Sequence, residues 1–362
     1  MKILIFNWRC WKHPWAGGAE KYLYEISKRL VKRGHKIVWF VSSFEKSEKR
    51  EIEDGIEIIR RGGRFSVYLY AFWYYLKELK KRNFDLIVDD INGVPFFTPL
   101  YVWKPKVAII HHLMGWKIFS KELKLHQAII AWLAERLISL LYFSISFITV
   151  SESSKKELKK NLIRRVYVVP NGLNSWMKRH SPIKKTHNPT IIYLGRWKKY
   201  KRINLLIEAF KIVKKRMKNA ELWLVGKGDW KNYKKVEGMK LFGKVSDRKK
   251  KELLTKAWVF VNPSIKEGWG ITVIEANACG TPCIAYDVPG LRDSVINGKT
   301  GLLVKEDGNV EKLAEAIIKI LEDEELRRKL SINAIKWAKQ FSWDKSAEEF
   351  ERVIKNIIKQ EF

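Results

Sequence analysis

The sequence is poor in cysteine, in acidic side chains relative to basic ones, and in unbroken apolar stretches. Its three cysteines, Cys10, Cys279 and Cys283, form an odd and scattered set, which excludes a disulfide framework. Cys279 and Cys283 lack a second Cys or His pair at zinc-ligand spacing, so they read as buried reduced thiols. The most apolar stretch, residues 128–150, is interrupted by Glu135 and Arg136. Those charges argue against a spanning helix and for a buried helix followed by a strand. No Asp-x-Asp motif occurs, and no RRM, OB, helix-turn-helix or zinc-finger pattern. Residues 1–6 run directly into a strand pattern where a secretory leader would show a basic and then an apolar region. The expected address is the cytoplasm, or peripherally the cytoplasmic face of a membrane.

What is present is enough apolar material for two cores: 362 residues, 46% of them hydrophobic, exceed one ordinary domain. Lys and Arg total 71 against 39 Asp and Glu, a formal charge of +32. Such a surface concentrates anions: nucleic acid, phosphorylated small molecules or anionic lipid. The 16 tryptophans help to choose, because basic side chains interleaved with amphipathic rings suit a lipid headgroup boundary. They also suit base stacking on single strands, but no nucleic-acid motif supports that, so a nucleic-acid partner is not expected. A hot habitat is a rival explanation of the lysine content.

Along the chain, Lys2-Ile3-Leu4-Ile5-Phe6 reads as a buried parallel strand. Gly17-Gly18 precedes a helical pattern with Tyr22, Leu23, Ile26 and Leu30 on one side, closed by Gly34 as a helix stop. Residues 35–41, 85–88, 106–110, 148–150 and 166–169 supply further strands, and Ser154-x-x-Glu157 resembles a capping box. A polar, basic linker is expected over 174–189. The alternation then restarts with strands over 190–194, 221–225, 258–261, 282–285 and 301–304, between helices over 203–217, 310–321 and 324–341. An amphipathic helix over 343–359 follows. Two such series predict two doubly wound sheets, each binding ligands beyond its C-terminal strand ends, and hence one shared cleft.

Four segments carry the chemistry. Gly17-Gly18-Ala19-Glu20 would let backbone N–H groups at a helix N-terminus approach a phosphate, although tight turns use the same residues. Residues 107–110 deliver His111 to a strand end, with His112 beside it as a packing or loop residue. Gly195-Arg196-Trp197-Lys198-Lys199-Tyr200-Lys201 offers a planar guanidinium and a mobile ammonium to a leaving diphosphate, while Lys198 and Lys199 read as solvated. Glu267-Gly268-Trp269-Gly270 followed by Glu275 combines carboxylates suited to vicinal hydroxyls with glycines that present backbone N–H groups. Gly226-Lys227-Gly228, Phe242-Gly243-Lys244-Val245 and Asp287-Val288-Pro289-Gly290 are weaker supporting pieces. Asp89-Asp90 reads as loop or acceptor-side residues.

In this order the segments resemble the family 4 glycosyltransferases, whose architecture is called GT-B, over nearly the whole chain. The resemblance implies an α/β fold of two Rossmann-like doubly wound domains facing a central cleft. It places an acceptor-binding domain at 1–175, a nucleotide-sugar-binding domain at 188–342, and a last helix at 343–362 packing back on the first domain. It implies a retaining hexosyltransferase in which His111, Arg196, Lys201 and Glu267 are catalytic. Gly17, Gly18, Lys244, Val245, Gly268, Trp269, Gly270 and Glu275 would bind the donor, a GDP- or UDP-linked sugar, with no metal and no other cofactor. The family's glycine after Lys201 is replaced here by Arg202, which loosens the match. Only Glu267 is motivated as a carboxylate beside the sugar, so a double displacement, which needs two, is less expected than a front-face route.

The acceptor is expected to be a glycan or a polyprenyl-phosphate-linked molecule, with mannose from GDP-mannose as the transfer. Residues 65–82 and 114–147, rich in Trp, Tyr, Phe and Lys, are expected to touch anionic membrane. The alternatives are a UDP-sugar transferase with a soluble acceptor, an epimerase or phosphorylase on the same scaffold, a nucleic-acid- or membrane-binding protein, and a noncatalytic scaffold.

Overall fold

Lys2-Ile3-Leu4-Ile5-Phe6 forms the first strand because its apolar side chains are needed on both faces of a sheet covered on both sides; Leu4 and Phe6 are fully buried. The computed structural model describes residues 1–178, 184–229, 233 and 235–360. Of the linker expected over 174–189, residues 179–183 lie outside the described residues, as do 361 and 362 of the last segment. The chain divides into two compact units, Met1–Gly172 together with Trp343–Phe362, and Leu173–Ser342.

The first unit holds strands β1 (Lys2–Phe6), β2 (Lys36–Val41), β3 (Arg50–Glu53), β4 (Ile56–Arg60), β5 (Leu86–Asp90), β6 (Lys106–Ile109), β7 (Ser146–Thr149) and β8 (Val166–Val168). Its helices are α1 (Gly18–Lys32), α2 (Val67–Tyr74), α3 (Gly115–Glu122), α4 (Leu125–Leu141) and α5 (Glu152–Lys160). The sheet order is β3-β4-β2-β1-β5-β6-β7-β8. All pairings are parallel except β3 with β4. From β1 the chain steps one way to β2, while β5 lies on the other side; the β1/β5 boundary is therefore the topological switch point, where such sheets bind ligands.

The second unit holds β9 (Thr190–Leu194), β10 (Glu221–Val225), β11 (Met239–Gly243), β12 (Val259–Asn262), β13 (Cys283–Tyr286) and β14 (Gly301–Val304). Helices α6 (Ile203–Arg216), α7 (Asp247–Lys256), α8 (Ile271–Ala278), α9 (Leu291–Ser294), α10 (Val310–Glu322) and α11 (Glu324–Ala338) accompany them. The order β11-β10-β9-β12-β13-β14 puts its switch point between β9 and β12. A last helix, α12 (Trp343–Gln360), belongs to the first unit. There Arg29 pairs with Asp344 at 2.7 Å and Arg33 with Glu351 at 2.9 Å, and the Ser346 hydroxyl donates to the Pro170 carbonyl at 2.7 Å.

One expectation is corrected. The apolar stretch 128–150 gives not a buried helix but α4, which buries only a narrow stripe of Ala128, Ala131 and Ile138. Glu135 lies on that inner side and accepts the N–H groups of Met114 and Gly115 at 2.6 and 2.9 Å. With a carboxylate and small residues inward, the large aliphatic side chains are left outward: Ile130 is 65% exposed and Leu140 67%.

Candidate functional site

In the first unit three neighbouring strands, β1, β5 and β6, end side by side and deliver Asn7, Asp90 and His111. Asp90 and Asn7 are fully buried. The Asn7 side-chain amide donates to Asp90 Oδ2, and Asn92 Nδ2 donates to the same oxygen at 3.2 Å. The other oxygen, Oδ1, faces His111 Nε2 at 3.8 Å, too far for a hydrogen bond. Neither of these two buried atoms has a hydrogen-bond partner in the structure. A buried carboxylate oxygen and a buried imidazole nitrogen left open toward one another are suited to receive one hydroxyl between them. His111 itself is fixed by its backbone, whose carbonyl accepts the Ser154 hydroxyl at 2.8 Å, and by the edge of the Tyr22 ring at 5.1 Å between centroids.

Burial holds the His111 imidazole down to about 4, against a weaker opposing pull from Glu20. Asp90 moves the other way, raised well above the usual carboxylate range by burial and then by the charges of Glu20 and Asp89. His111 is therefore neutral near pH 7, able to accept or donate at Nε2 according to its tautomer. An NMR titration should find His111 half-protonated near pH 4. Because an unperturbed histidine titrates near 6.5, its stabilising share is complete above that pH and is lost as the pH falls from there toward about 4. A midpoint at the ordinary value would show the ring to be solvated.

Asp89 and Asp90, read from sequence as loop or acceptor-side residues, lie not in a loop but at the end of β5, with both side chains buried. Asp89 points to the opposite face and is satisfied there by Tyr142 at 2.5 Å, Thr98 at 2.9 Å and the Phe96 N–H at 3.3 Å. The Gly17-Gly18 turn opens α1, but the Gly17 N–H donates to Glu20 at 2.6 Å. Glu20 is in turn paired with Arg9 at 2.7 Å. The helix N-terminus is thus already faced by a carboxylate, the favourable charge for that dipole end.

In the second unit the loops after β9 and β12 meet because those strands are neighbours. Lys201, from the short turn Lys199–Lys201, hydrogen-bonds to Glu267 Oε1. Glu267 also accepts the Ser264 hydroxyl at 2.8 Å and Asn262 Nδ2 at 3.3 Å. Burial alone would lower the Lys201 pKa, but the Glu267 charge and hydrogen bond outweigh it, and the ammonium is held above its usual value. The loop carrying Glu267 is seated by its N–H donating to the Pro289 carbonyl at 3.1 Å. Gly290 makes this approach possible: a Cβ there would lie 2.1 Å from the Glu267 carbonyl oxygen. On the facing side Gly226 backs Gly195 in the same way, where a Cβ would lie 1.8 Å from the Gly195 carbonyl oxygen. That contact holds the Arg196 loop against β10.

Arg202, the departure from the family's glycine, adopts φ +50°. This is the left-handed conformation that glycine takes without strain. Its guanidinium pairs with Asp307 at 2.6 Å, a contact glycine lacks, so the turn shape survives the substitution.

Gly270, at φ +91°, caps the start of α8, and Glu275 lies buried on that helix. Glu275 accepts from Lys250 of α7 at 2.9 Å. Burial pulls Lys250 down, yet the Glu275 charge holds it above its usual value. Trp269 packs its ring against Phe341, 5.3 Å between centroids, so its side chain serves the core. Lys244 is exposed and Val245 half-buried after the edge strand β11. Sequence reasoning missed Asn7 and Lys250. Asn7 had no motif around it, and Lys250 sits in Arg248-Lys249-Lys250-Lys251, where nothing separates it from solvated neighbours. Among the described residues no three His, Cys, Asp or Glu side chains group as a metal site.

Residues 16–175 match the family model for Glycosyltransferase Family 4, and residues 174–337 that for Glycosyl transferases group 1. An uncharacterized glycosyltransferase of Methanocaldococcus jannaschii is 31% identical over 393 residues, with 98% of each chain covered. The phosphatidyl-myo-inositol mannosyltransferase of Mycobacterium leprae is 26% identical over 223 residues, 59% of each chain. Among solved structures, Anabaena Alr3699/HepE in complex with UDP and glucose has a TM-score of 0.75 at 18% identity, covering 98% of this chain and 100% of that one.

Proposed function

The chain belongs to the family 4 glycosyltransferases and has their GT-B fold, and from that premise we propose that it is a retaining, metal-independent hexosyltransferase. It takes mannose from GDP-mannose and delivers it to a glycan or polyprenyl-phosphate-linked acceptor at the cytoplasmic face of a membrane. The observation that carries the transferase reading is the half-buried Lys201–Glu267 pair at the switch point of the second sheet. A charged lysine there, with the Arg196 loop beside it on β9, answers the charge that a departing nucleoside diphosphate gains.

In the front-face route the bond from the anomeric carbon to the phosphate oxygen breaks as the acceptor oxygen approaches from the same side. The acceptor proton passes to the leaving diphosphate. Lys201 has three N–H donors, so it can hold Glu267 and a phosphate oxygen together. Glu267 accepts from sugar hydroxyls, and Glu275, oriented by its hydrogen bond from Lys250, accepts from a ribose. His111 and Asp90 bracket one hydroxyl of the transferred sugar or the acceptor.

The mannosyl and lipid-linked parts rest on the mycobacterial relative, whose name gives both a mannosyl donor group and a phosphatidylinositol acceptor. The Anabaena structure with UDP and glucose favours a second reading, a UDP-sugar donor with a soluble acceptor. The test is release of nucleoside diphosphate from GDP-, UDP- and ADP-sugars in EDTA, with and without polyprenyl phosphate, and the product's anomeric configuration by NMR. Lipid-dependent release from GDP-mannose with retention is the expected result. Release only from a UDP-sugar with soluble acceptors selects the second reading. Loss of turnover in EDTA, restored by a divalent cation, would refute metal independence.

A further inference from the structure

Large hydrophobic side chains left in solvent are unevenly shared between the two units. Among the described residues, all but Leu241 and Ile332 lie in the first unit. Within that unit they gather on α4 and α2. The outward side of α4 carries Ile129, Ile130, Leu133, Leu137 and Leu140, with Arg136 and His126 as its polar members. On α2 the outward residues include Leu69, Tyr70 and Trp73.

The two helices cover the same face of the sheet. Phe6, Asp89, Ala108 and Phe147 stand in register across β1, β5, β6 and β7, and residues in register project to one face. Val67 and Ala71 of α2 pack with Phe6, while Ile138 of α4 packs with Ala108 and Phe147. The connection between β5 and β6, on the same side of the chain's path, adds Leu100 and the 79% exposed Trp103. Five large aliphatic side chains on one exposed helix face are a surface that calls for a cover.

We propose that α4, assisted by α2, seats the chain on an anionic lipid bilayer, with α4 lying in the plane of the headgroup boundary and its outward face among the acyl chains. The proposal deepens the membrane-side reading above and rests on it. No helix among the described residues is long and apolar enough to cross a membrane, so the contact is in-plane rather than spanning.

Charge selects lipid over a second copy of the chain. The α3–α4 hairpin carries Lys117, Lys121, Lys124 and Arg136 against Glu122 and Glu135, and Glu135 is turned inward onto the start of α3. A two-fold dimer through this face would set identical basic rims against one another, on chains of net charge +32 each. Anionic headgroups complement the rim and the acyl region takes the aliphatic face.

The test is flotation of the intact chain with vesicles of phosphatidylcholine alone and with phosphatidylglycerol added, in the absence of any sugar nucleotide. Binding is expected to the anionic vesicles, to weaken with salt, and to fall at least about tenfold in Leu133→Asp/Leu137→Asp. Because that variant could misfold, a second measurement uses an environment-sensitive dye on Leu133→Cys, with Ile332→Cys in the second unit as reference. The dye at 133 should shift blue on anionic vesicles and the dye at 332 should not.

No flotation, or equal shifts at both positions, overturns the proposal. So does a wild-type dimer that becomes monomeric in Leu133→Asp/Leu137→Asp without vesicle binding, which would assign the face to a second copy. Flotation reads no catalysis, so a chain that binds vesicles but releases no nucleotide fails the transferase reading alone.

Discussion

Lys201→Met is expected to lower kcat by at least about a hundredfold, with the KM for the sugar nucleotide changed far less. The ground-state donor already carries its phosphate charge, whereas the additional charge on the bridging oxygen appears only as the glycosidic bond breaks. An ammonium beside that oxygen therefore acts on the transition state more than on binding. The substitution should be tolerated structurally, because Glu267 keeps the Ser264 hydroxyl and the Asn262 amide as donors. Lys201→Arg retains a charge but not the point-like head that fits beside Glu267, and should recover only part of the loss. Steady-state release of nucleoside diphosphate reads all three. A Lys201→Met enzyme with near wild-type kcat would reduce Lys201 to a structural partner of Glu267.

Phe350→Ala is expected to destabilise the first unit by about 3–5 kcal/mol, the cost of emptying a buried aromatic site. Phe350 lies in the last helix and is almost wholly buried, among Val353, Ile354 and Ile357 on the inward side of α12. Hydrogen exchange resolves where the loss falls. Protection of β1, β2 and β5 should collapse at lower denaturant, while β9, β10 and β12 keep theirs. The reverse pattern would place α12 with the second unit, against the partition of the chain.

Much of the fold was legible because both sheets are parallel but for the β3–β4 pair and are covered by helices, so their inner strands appear as short apolar runs between amphipathic helices. Three strands escaped: β3 and β11, at the margins, and β4, which lies just inside β3. Arg50-Glu51-Ile52-Glu53 of β3 has a single apolar residue, since an edge strand faces water and needs little apolar material, and β11 ends the second sheet with Lys240 and Leu241 exposed. The apolar stretch 128–150 departs from expectation for the opposite reason: hydrophobicity is not burial, and nothing in a sequence says what covers an apolar face.

At the site, the glycine-rich loop around Glu267 announces itself because close backbone approach demands glycine. The Lys201–Glu267 contact follows from strand adjacency that only topology supplies. Asn7 and Asp90 carry no such signature. An asparagine and an aspartate at two strand ends become a pair only when β1 and β5 are laid side by side, with β6 bringing His111 to the open oxygen.

The return of α12 to the first unit has a consequence for how the protein is made. A ribosome releases the whole of residues 1–172 before it begins the second sheet, yet the helix that covers α1 is translated only after that sheet is complete. Throughout that interval Tyr22, which packs on Trp343 in the finished molecule, and the cationic Arg29 and Arg33 await partners still inside the synthetic machinery. The first half of the chain to emerge is therefore the last to be finished. A nascent chain stalled anywhere in the second unit should present an incomplete groove along α1, open to chaperones until α12 closes it.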